Sequence, residues 1–123
     1  MSVFEQTKEE DKLYQDEWCF IKKDEFPVSE GHLLIISNKI KKDFFDLSIL
    51  EKVKILFCID KAKNIIENEL GLKPDGYNIG MNCGEAAGQT VMHFHCHLIP
   101  RYKGDMENPR GGVRHCIQGK GNY

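Results

Sequence analysis

A single long helix, predicted in the middle of the chain, limits the architecture more than any other element. Ser48 and Glu51 have the spacing of a capping box, in which a hydroxyl and a carboxylate each bond an orphan amide at the helix start. Gly71 is expected to end the helix, because glycine enters the left-handed region without Cβ strain. About 23 residues at ~1.5 Å each give roughly 34 Å, long enough to cross a small sheet. The apolar stripe predicted to face that sheet contains Leu50, Val53, Phe57, Ala62, Ile65 and Ile66.

Strands are predicted on both sides of this helix. They cover residues 18–21, 32–36, 77–82 and 92–99. The first two form an antiparallel hairpin with a long connection, in which Pro27 and Gly31 break the pattern. Residues 1–12 are charged and are expected to be a loose end or a short helix. Because no internal repeat or linker interrupts this order, one domain is expected over residues 1–123.

The overall charge and hydropathy argue against two classes of partner. The chain carries a net charge of −2 with a pI near 6.2, so no uniform basic field is expected to attract nucleic acid. No apolar run approaches the ~18 residues that a membrane span needs, and the first residues contain no signal-peptide core. We therefore expect neither nucleic acid nor membrane as a partner, and a cytoplasmic location.

The cysteines are expected to be free thiols. They are odd in number and none forms a CxxC pair, so neither a disulfide framework nor a zinc knuckle is expected. The expected state is reduced and mostly buried. The five residues are Cys19, Cys58, Cys83, Cys96 and Cys116.

Three histidines alternate within the segment GQTVMHFHCHLIPR, residues 88–101. On a strand, His93, His95 and His97 share one face, about 6.6 Å apart from one to the next and roughly 13 Å from first to last. That span is too long for three imidazoles to close on one tetrahedral ion with ~2.0 Å bonds. A metal site completed by Asp24, Cys83 or His32 remains an alternative, as does a solvated face without chemistry.

The neighbouring residues favour chemistry on a phosphate. Gly88-Gln89-Thr90 supplies an amide, a hydroxyl and backbone donors in a turn beside the histidines, and such groups hold anionic oxygens. An imidazole is a competent nucleophile at phosphorus near neutral pH. A second imidazole two residues along the strand can protonate a leaving group. One strand therefore presents a nucleophile and an acid on the same face.

The segment His93-Phe94-His95-Cys96-His97-Leu98-Ile99 matches every position of the histidine triad signature, in which histidines alternate with apolar residues. The chain resembles this family over nearly its whole length, including Gly31-His32 before the run Leu-Leu-Ile-Ile. The resemblance implies an α+β fold, in which an antiparallel sheet carries one long helix and two protomers pair into a continuous sheet. It also implies cleavage of nucleotides at the α-phosphate, with no cofactor and no metal for the central step.

The resemblance assigns catalytic roles to four histidines. His95 attacks the α-phosphorus to form a nucleotidyl-histidine intermediate, which water then hydrolyses. His97 contacts the phosphate and helps to protonate the leaving group. His93 and His32 lie behind the residues that contact the substrate and orient His95. An N-terminal cysteine pair, which contributes to a zinc site in some relatives, is missing from this sequence.

Four further residues are implied to contact the substrate. Gln89 and Thr90 match the pair that contacts the phosphate, and Asn82 matches an asparagine on the phosphate side of the site. Asp24, eight residues before His32, matches a carboxylate that binds the ribose hydroxyls. The resemblance further implies a purine mononucleotide conjugate as the substrate and a homodimer as the assembly that binds it.

The sequence combines features of two branches of the family, so the branch stays open. The run from His97 to Arg101 resembles dinucleoside-polyphosphate hydrolases of the fragile-histidine-triad type, which act on substrates such as diadenosine tetraphosphate. Asp24 and Asn82 resemble instead the nucleoside phosphoramidases. The leading prediction is a dinucleoside-polyphosphate hydrolase, with a phosphoramidase or an AMP-binding regulator as alternatives. Arg110 and Arg114 are hypothesised to meet the distal phosphates of a polyphosphate.

Overall fold

The computed structural model describes residues 2–123, within which five antiparallel strands form one sheet in the order β1-β2-β3-β5-β4. The strands are β1 (Lys12–Gln15), β2 (Cys19–Lys23), β3 (Leu33–Ser37), β4 (Gly76–Gly80) and β5 (His95–Arg101). The single long helix, α1 (Ile49–Asn64), continues into a π-helical segment over Ile65–Glu69. The predicted α+β class, an antiparallel sheet with one long helix, is confirmed.

The helix begins where the capping box predicted. Ser48 Oγ accepts from the Glu51 N–H at 3.1 Å, and Glu51 Oε1 accepts from the Ser48 N–H at 2.8 Å. Each bond satisfies an amide that has no partner within the helix. At the other end, Gly71 has a φ of +68° directly after the capping residue Leu70, as expected for a left-handed stop.

The prediction of which helix face is buried was wrong in part. Leu50, Val53 and Phe57 are 52%, 41% and 66% exposed and lie on the outer face of α1. Only Ala62, Ile65 and Ile66 of the predicted stripe are buried, together with Ile55 and Cys58, which were not in it. The helix carries apolar residues on two faces, so spacing alone did not identify the one that packs on the sheet.

Strand β5 is central, between β3 and β4, and its side chains alternate between two environments. Cys96 and Leu98 are buried in the core under α1. His95 and His97 point to the opposite face, because successive side chains on a strand alternate. The alternation predicted for these two histidines is therefore confirmed.

The four predicted strands are present with bounds that differ by one to three residues, and a fifth strand was not predicted. β5 begins at His95 rather than Met92, so His93 precedes the strand. There the Phe94 N–H donates to the Lys41 carbonyl at 2.6 Å, while the Phe94 carbonyl accepts from the Ser37 N–H at 3.4 Å. β1 was not predicted, because its four residues include only two large apolar side chains between charged and polar neighbours.

The expectation of five free thiols was wrong for one pair. Cys19, at the start of β2, and Cys58, in the middle of α1, are bonded to each other and fully buried. The two residues are 39 positions apart, so no local spacing rule indicated that they meet. Among the described residues, the free cysteines are Cys83, Cys96 and Cys116.

Thiol titration checks this pairing. We expect denatured protein that has not been reduced to react as three thiols per chain, and reduced protein as five, because only the Cys19–Cys58 pair is blocked. Cys116→Ser, which removes an exposed free thiol, should lower both counts by one. Five reactive thiols before reduction would contradict the bond.

Across residues 2–123, no helix combines the length and the apolar character that crossing a bilayer requires.

Candidate active site

The face of the sheet opposite α1 carries a cavity of about 650 Å³. Its floor is formed by His95 and His97 on β5 and by His32 at the start of β3. Residues 3–8 form one wall, and the connection from β2 to β3 forms another. A volume of this size is in the range of cavities that enclose a small organic ligand.

His95 is oriented by a main-chain bond. Its Nδ1 lies 2.8 Å from the carbonyl oxygen of His93. Because a carbonyl can only accept, Nδ1 must carry the proton, and neutral His95 therefore keeps a lone pair on Nε2. Phe4 packs edge-on against the ring, with centroids 4.9 Å apart. The imidazole therefore presents Nε2 at the cavity floor.

Two hydrogen bonds hold the side chain of His93, whose main-chain carbonyl bonds His95. Its Nε2–H donates to the Ser37 carbonyl at 2.7 Å, which leaves Nδ1 to accept from the Ser2 hydroxyl at 2.8 Å. Ser2 Oγ in turn accepts from the Phe4 N–H at 3.1 Å. The side chain is 1% exposed and is not among the described residues that line the cavity, so it is not placed to contact a ligand there.

His97 belongs to a group of three polar side chains. Its Nδ1 lies 2.9 Å from His32 Nε2, and the Asp24 Oδ2 atom lies 3.3 Å from His32 Nε2 and 3.7 Å from His97 Nδ1. His32 Nδ1 accepts from the Val28 N–H at 3.2 Å, so neutral His32 carries its proton on Nε2 and donates it to His97. His97 then has its own proton on Nε2.

The same three residues are the candidate metal ligands of this face. The separations of 2.9, 3.3 and 3.7 Å are close to the ~3.3 Å edge of a tetrahedron with ~2.0 Å bonds. However, ligation through His32 Nε2 needs the proton on Nδ1, where the Val28 N–H already donates. The hydrogen bonds therefore favour a role for these three residues in proton transfer over a role in metal binding. Of the triad, this group includes only His97.

Gln89 is placed to hold the loop before the triad. Its Oε1 accepts from the Gly84 N–H at 2.8 Å, and its Nε2 donates to the carbonyls of Lys42 at 2.6 Å and Val91 at 3.1 Å. The side chain is buried and is not among the described residues that line the cavity. The structure thus gives Gln89 a loop-holding role, and direct contact with a phosphate stays a prediction.

Thr90 and Asn82 both line the cavity and are exposed to solvent, as a ligand-contacting role requires. Arg110 and Arg114 lie elsewhere: their guanidinium carbons sit 4.5 and 4.8 Å from the ring centre of Tyr123. These arginines are not among the described cavity-lining residues, and both pack against Tyr123 of the same C-terminal tail. Their proposed contact with distal phosphates stays a prediction.

Two residues of the site were missed by sequence reasoning. Ser2 bonds His93, and Val28 sets the tautomer of His32 through its main-chain N–H. The signal available for Ser2 was its capping-box spacing with Glu5, which the structure confirms at 2.8 Å, but it did not indicate a contact with the triad. A main-chain donor such as that of Val28 has no sequence signal.

Burial disfavours the charged form of three imidazoles around the site. It lowers the pKa of His32, of His93 and of His97 below the ordinary value. The neighbouring His95 and His32 lower the pKa of His97 further, while Asp24 raises it. Burial also raises the pKa of the Cys96 thiol to about 12, so this cysteine is no competitor for the role of nucleophile.

These shifts predict loss of stability in mild acid. A histidine whose pKa is lower in the folded state binds fewer protons there, so the unfolded chain takes up protons first as the pH falls below about 6.5. The free energy of unfolding should therefore be full above pH 7 and fall as the pH drops from 6.5 towards the folded-state pKa values of His32, His93 and His97. Urea unfolding at pH 7.5 and 5.5 measures this, and an equal or higher midpoint at pH 5.5 would contradict it.

The antiparallel sheet, its one long helix and the imidazoles at the cavity define an α+β domain with a histidine-lined site. The HIT domain family matches residues 5–104 of this sequence, and the chain belongs to that family. The resemblance drawn from the alternating histidines is thereby confirmed.

Known relatives share both sequence and fold. The HIT-like protein MG132 of Mycoplasma genitalium is 39% identical over 95 residues, which cover 75% of this chain and 64% of that protein. A HIT family protein from Bacillus anthracis has a solved structure that superposes with a TM-score of 0.70 at 41% identity, covering 77% of this chain and 66% of that one.

Two relatives carry names that state an activity. An AP-4-A phosphorylase of Mycobacterium tuberculosis is 33% identical over 81 residues, or 65% of this chain and 40% of that protein. A bis(5'-nucleosyl)-tetraphosphatase of Schizosaccharomyces pombe is 35% identical over 79 residues, or 64% of this chain and 42% of that protein. The chain thus matches less than half the length of either enzyme.

Proposed function

We propose that this HIT domain is a nucleotide hydrolase that cleaves a dinucleoside polyphosphate or a related AMP conjugate at the α-phosphate. One observation carries the proposal: His95 presents Nε2 at a cavity while Nδ1 faces the His93 carbonyl, so the neutral ring has its lone pair on Nε2. An imidazole held in this way needs no proton removal before it attacks phosphorus. The names of the two enzymes among its relatives agree with this class of substrate.

The first step transfers the nucleotide to the protein. His95 Nε2 forms a bond to the α-phosphorus as the bond from phosphorus to the leaving group breaks, and its electron pair stays on the leaving atom. His97, in its protonated form, gives the Nε2 proton to that atom. The nucleotidyl imidazole is positively charged, and its Nδ1–H donates to the His93 carbonyl, which stabilises the charge.

The second step restores the enzyme. Water attacks the phosphorus, the bond from phosphorus to Nε2 breaks, and the electron pair returns to His95. His97 accepts the proton of the attacking water and is again protonated. Thr90 and Asn82 are proposed to donate to the phosphate oxygens during both steps, since they are the exposed polar residues that face the histidines from the neighbouring loop. The products are AMP and the released leaving group.

Product chromatography tests the proposal. Diadenosine tetraphosphate and AMP phosphoramidate are incubated separately with the protein in excess chelator. We expect chelator-resistant release of AMP, and the substrate with the higher kcat/KM chooses between the polyphosphate and phosphoramidate branches. Release that requires added metal would overturn the metal-free mechanism. No release from either substrate, with AMP still bound, would favour the AMP-binding regulator instead.

A homodimer is the proposed assembly, and two free surfaces support it. β4 is an edge strand with unpaired main-chain groups. The outer face of α1 exposes large apolar side chains that a second copy would cover, namely Ile49, Leu50, Val53, Leu56 and Phe57. Sedimentation should give twice the 14.2 kDa chain mass, and Phe57→Glu should return a monomer.

A cytoplasmic location remains a prediction from the sequence.

A further inference from the structure

The proposed mechanism needs a protonated His97, yet most of its surroundings oppose that charge. Burial, His95 on the same strand and His32 at the start of β3 all lower its pKa. β4 contributes only Gly80 directly opposite His97, which carries no charge. The one group that acts in the other direction is the carboxylate of Asp24, on the connection between β2 and β3.

We propose that Asp24 is the positioning residue of the general acid, accepting hydrogen bonds from both His32 and His97 whenever His97 is protonated. The inference rests on the proposed function and adds a role to a residue expected from the sequence to bind ribose. Asp24 acts through His97 and need not touch the substrate.

The geometry supports two hydrogen-bonding states. In the neutral state, His32 Nε2–H donates to His97 Nδ1 across 2.9 Å. When His97 gains a proton on Nδ1, two N–H groups face each other and that bond is lost. Both can then turn to Asp24 Oδ2, which already lies 3.3 Å from His32 Nε2 and 3.7 Å from His97 Nδ1.

The Asp24 carboxylate is already oriented to accept these two hydrogen bonds. Asp24 Oδ1 accepts from the Phe26 N–H at 2.9 Å, which leaves Oδ2 to face the two imidazoles. The Asp24 side chain is only 14% exposed, so its charge is less screened here than it would be at the surface. An oriented acceptor at this point favours the imidazolium that the reaction consumes and regenerates.

The test compares the effect of Asp24→Asn on kcat for two substrates that differ in their leaving group. p-Nitrophenyl-AMP releases a stable anion that needs no proton, whereas AMP phosphoramidate releases an amine that must be protonated. If Asp24 supports the acid, kcat for the phosphoramidate should fall by about 100-fold or more, and kcat for the nitrophenyl ester by less than ~3-fold. The alkaline limb of the phosphoramidate pH profile should move to lower pH, since fewer His97 rings remain protonated.

Ribose binding gives a different pattern. A variant that has lost only ribose contacts should show a raised KM with both leaving groups, and should no longer prefer AMP conjugates over their 2'-deoxy counterparts. That result, or unchanged kinetics, would overturn the proposal. Glu30→Gln is the matched control: it removes one negative charge from the same connection, where only the main-chain carbonyl of Glu30 is bonded, to Tyr102.

A measurement without turnover separates this proposal from the proposed function. Histidine ring resonances of the ligand-free protein can be titrated by NMR in wild type, Asp24→Asn and Asp24→Glu. We expect the pKa of His97 to be lower in Asp24→Asn than in wild type and to be largely recovered in Asp24→Glu. An unchanged pKa would overturn the role of Asp24, whereas absent turnover in wild type would overturn the hydrolase itself.

Discussion

His95→Ala is expected to lower kcat by at least ~10⁴-fold while the Kd for AMP changes by less than ~3-fold. The variant removes the only nitrogen proposed to bond phosphorus, and the cavity walls from residues 3–8 and from the β2–β3 connection remain in place. Single-turnover assays with diadenosine tetraphosphate and calorimetric titration with AMP measure the two quantities separately. In wild type, a short-lived phosphorus–nitrogen adduct should be trapped by acid-free quenching and should be absent from the variant.

His115→Ala is the matched control for this variant. His115 is the histidine of the C-terminal tail and is outside the described cavity-lining residues; its Nε2–H donates to the Arg110 carbonyl at 2.9 Å. Its substitution should leave kcat within ~2-fold of wild type. If His95→Ala kept a tenth or more of the wild-type kcat, His95 would not be the nucleophile. A parallel loss of AMP binding would instead indicate that the variant had disturbed the cavity.

Gln89→Ala is expected to lower the free energy of unfolding by about 2–4 kcal/mol and to reduce kcat as the loop loosens. The substitution leaves the Gly84 N–H and the carbonyls of Lys42 and Val91 without their partner, in a region where the side chain is buried. Each unpaired buried group costs about 1–3 kcal/mol. Water that enters the space left by the side chain recovers part of this cost by bonding these groups. Urea unfolding monitored by the fluorescence of Trp18 measures the change.

Gln118→Ala, at an exposed position of the tail, should stay within ~0.5 kcal/mol of wild type. The two roles considered for Gln89 predict different results. If Gln89 contacts the phosphate directly, its removal should raise KM with little change in stability. A wild-type unfolding midpoint together with a raised KM would therefore contradict the loop-holding role.

The site joins residues from distant parts of the sequence, and this limits what could be predicted from the sequence. His95 and His97 face the cavity because strand alternation is a local property of the backbone. The partner of His97, His32, is 65 positions away, and the partner of His93, Ser2, is 91 positions away. The resemblance to a family pointed to His32, but nothing in the spacing showed which nitrogen it presents or that Asp24 faces it.

Local chemistry thus determined the start and end of the helix and the alternation of His95 and His97. Each depends on groups within a few residues of one another, such as Ser48 with Glu51. Tertiary structure decided which face of α1 is buried, the bond between Cys19 and Cys58, and the use of Gln89 within its loop. These outcomes depend on which distant segments come together and on how completely each buried polar group finds a partner, and a periodic pattern in the sequence carries neither kind of information.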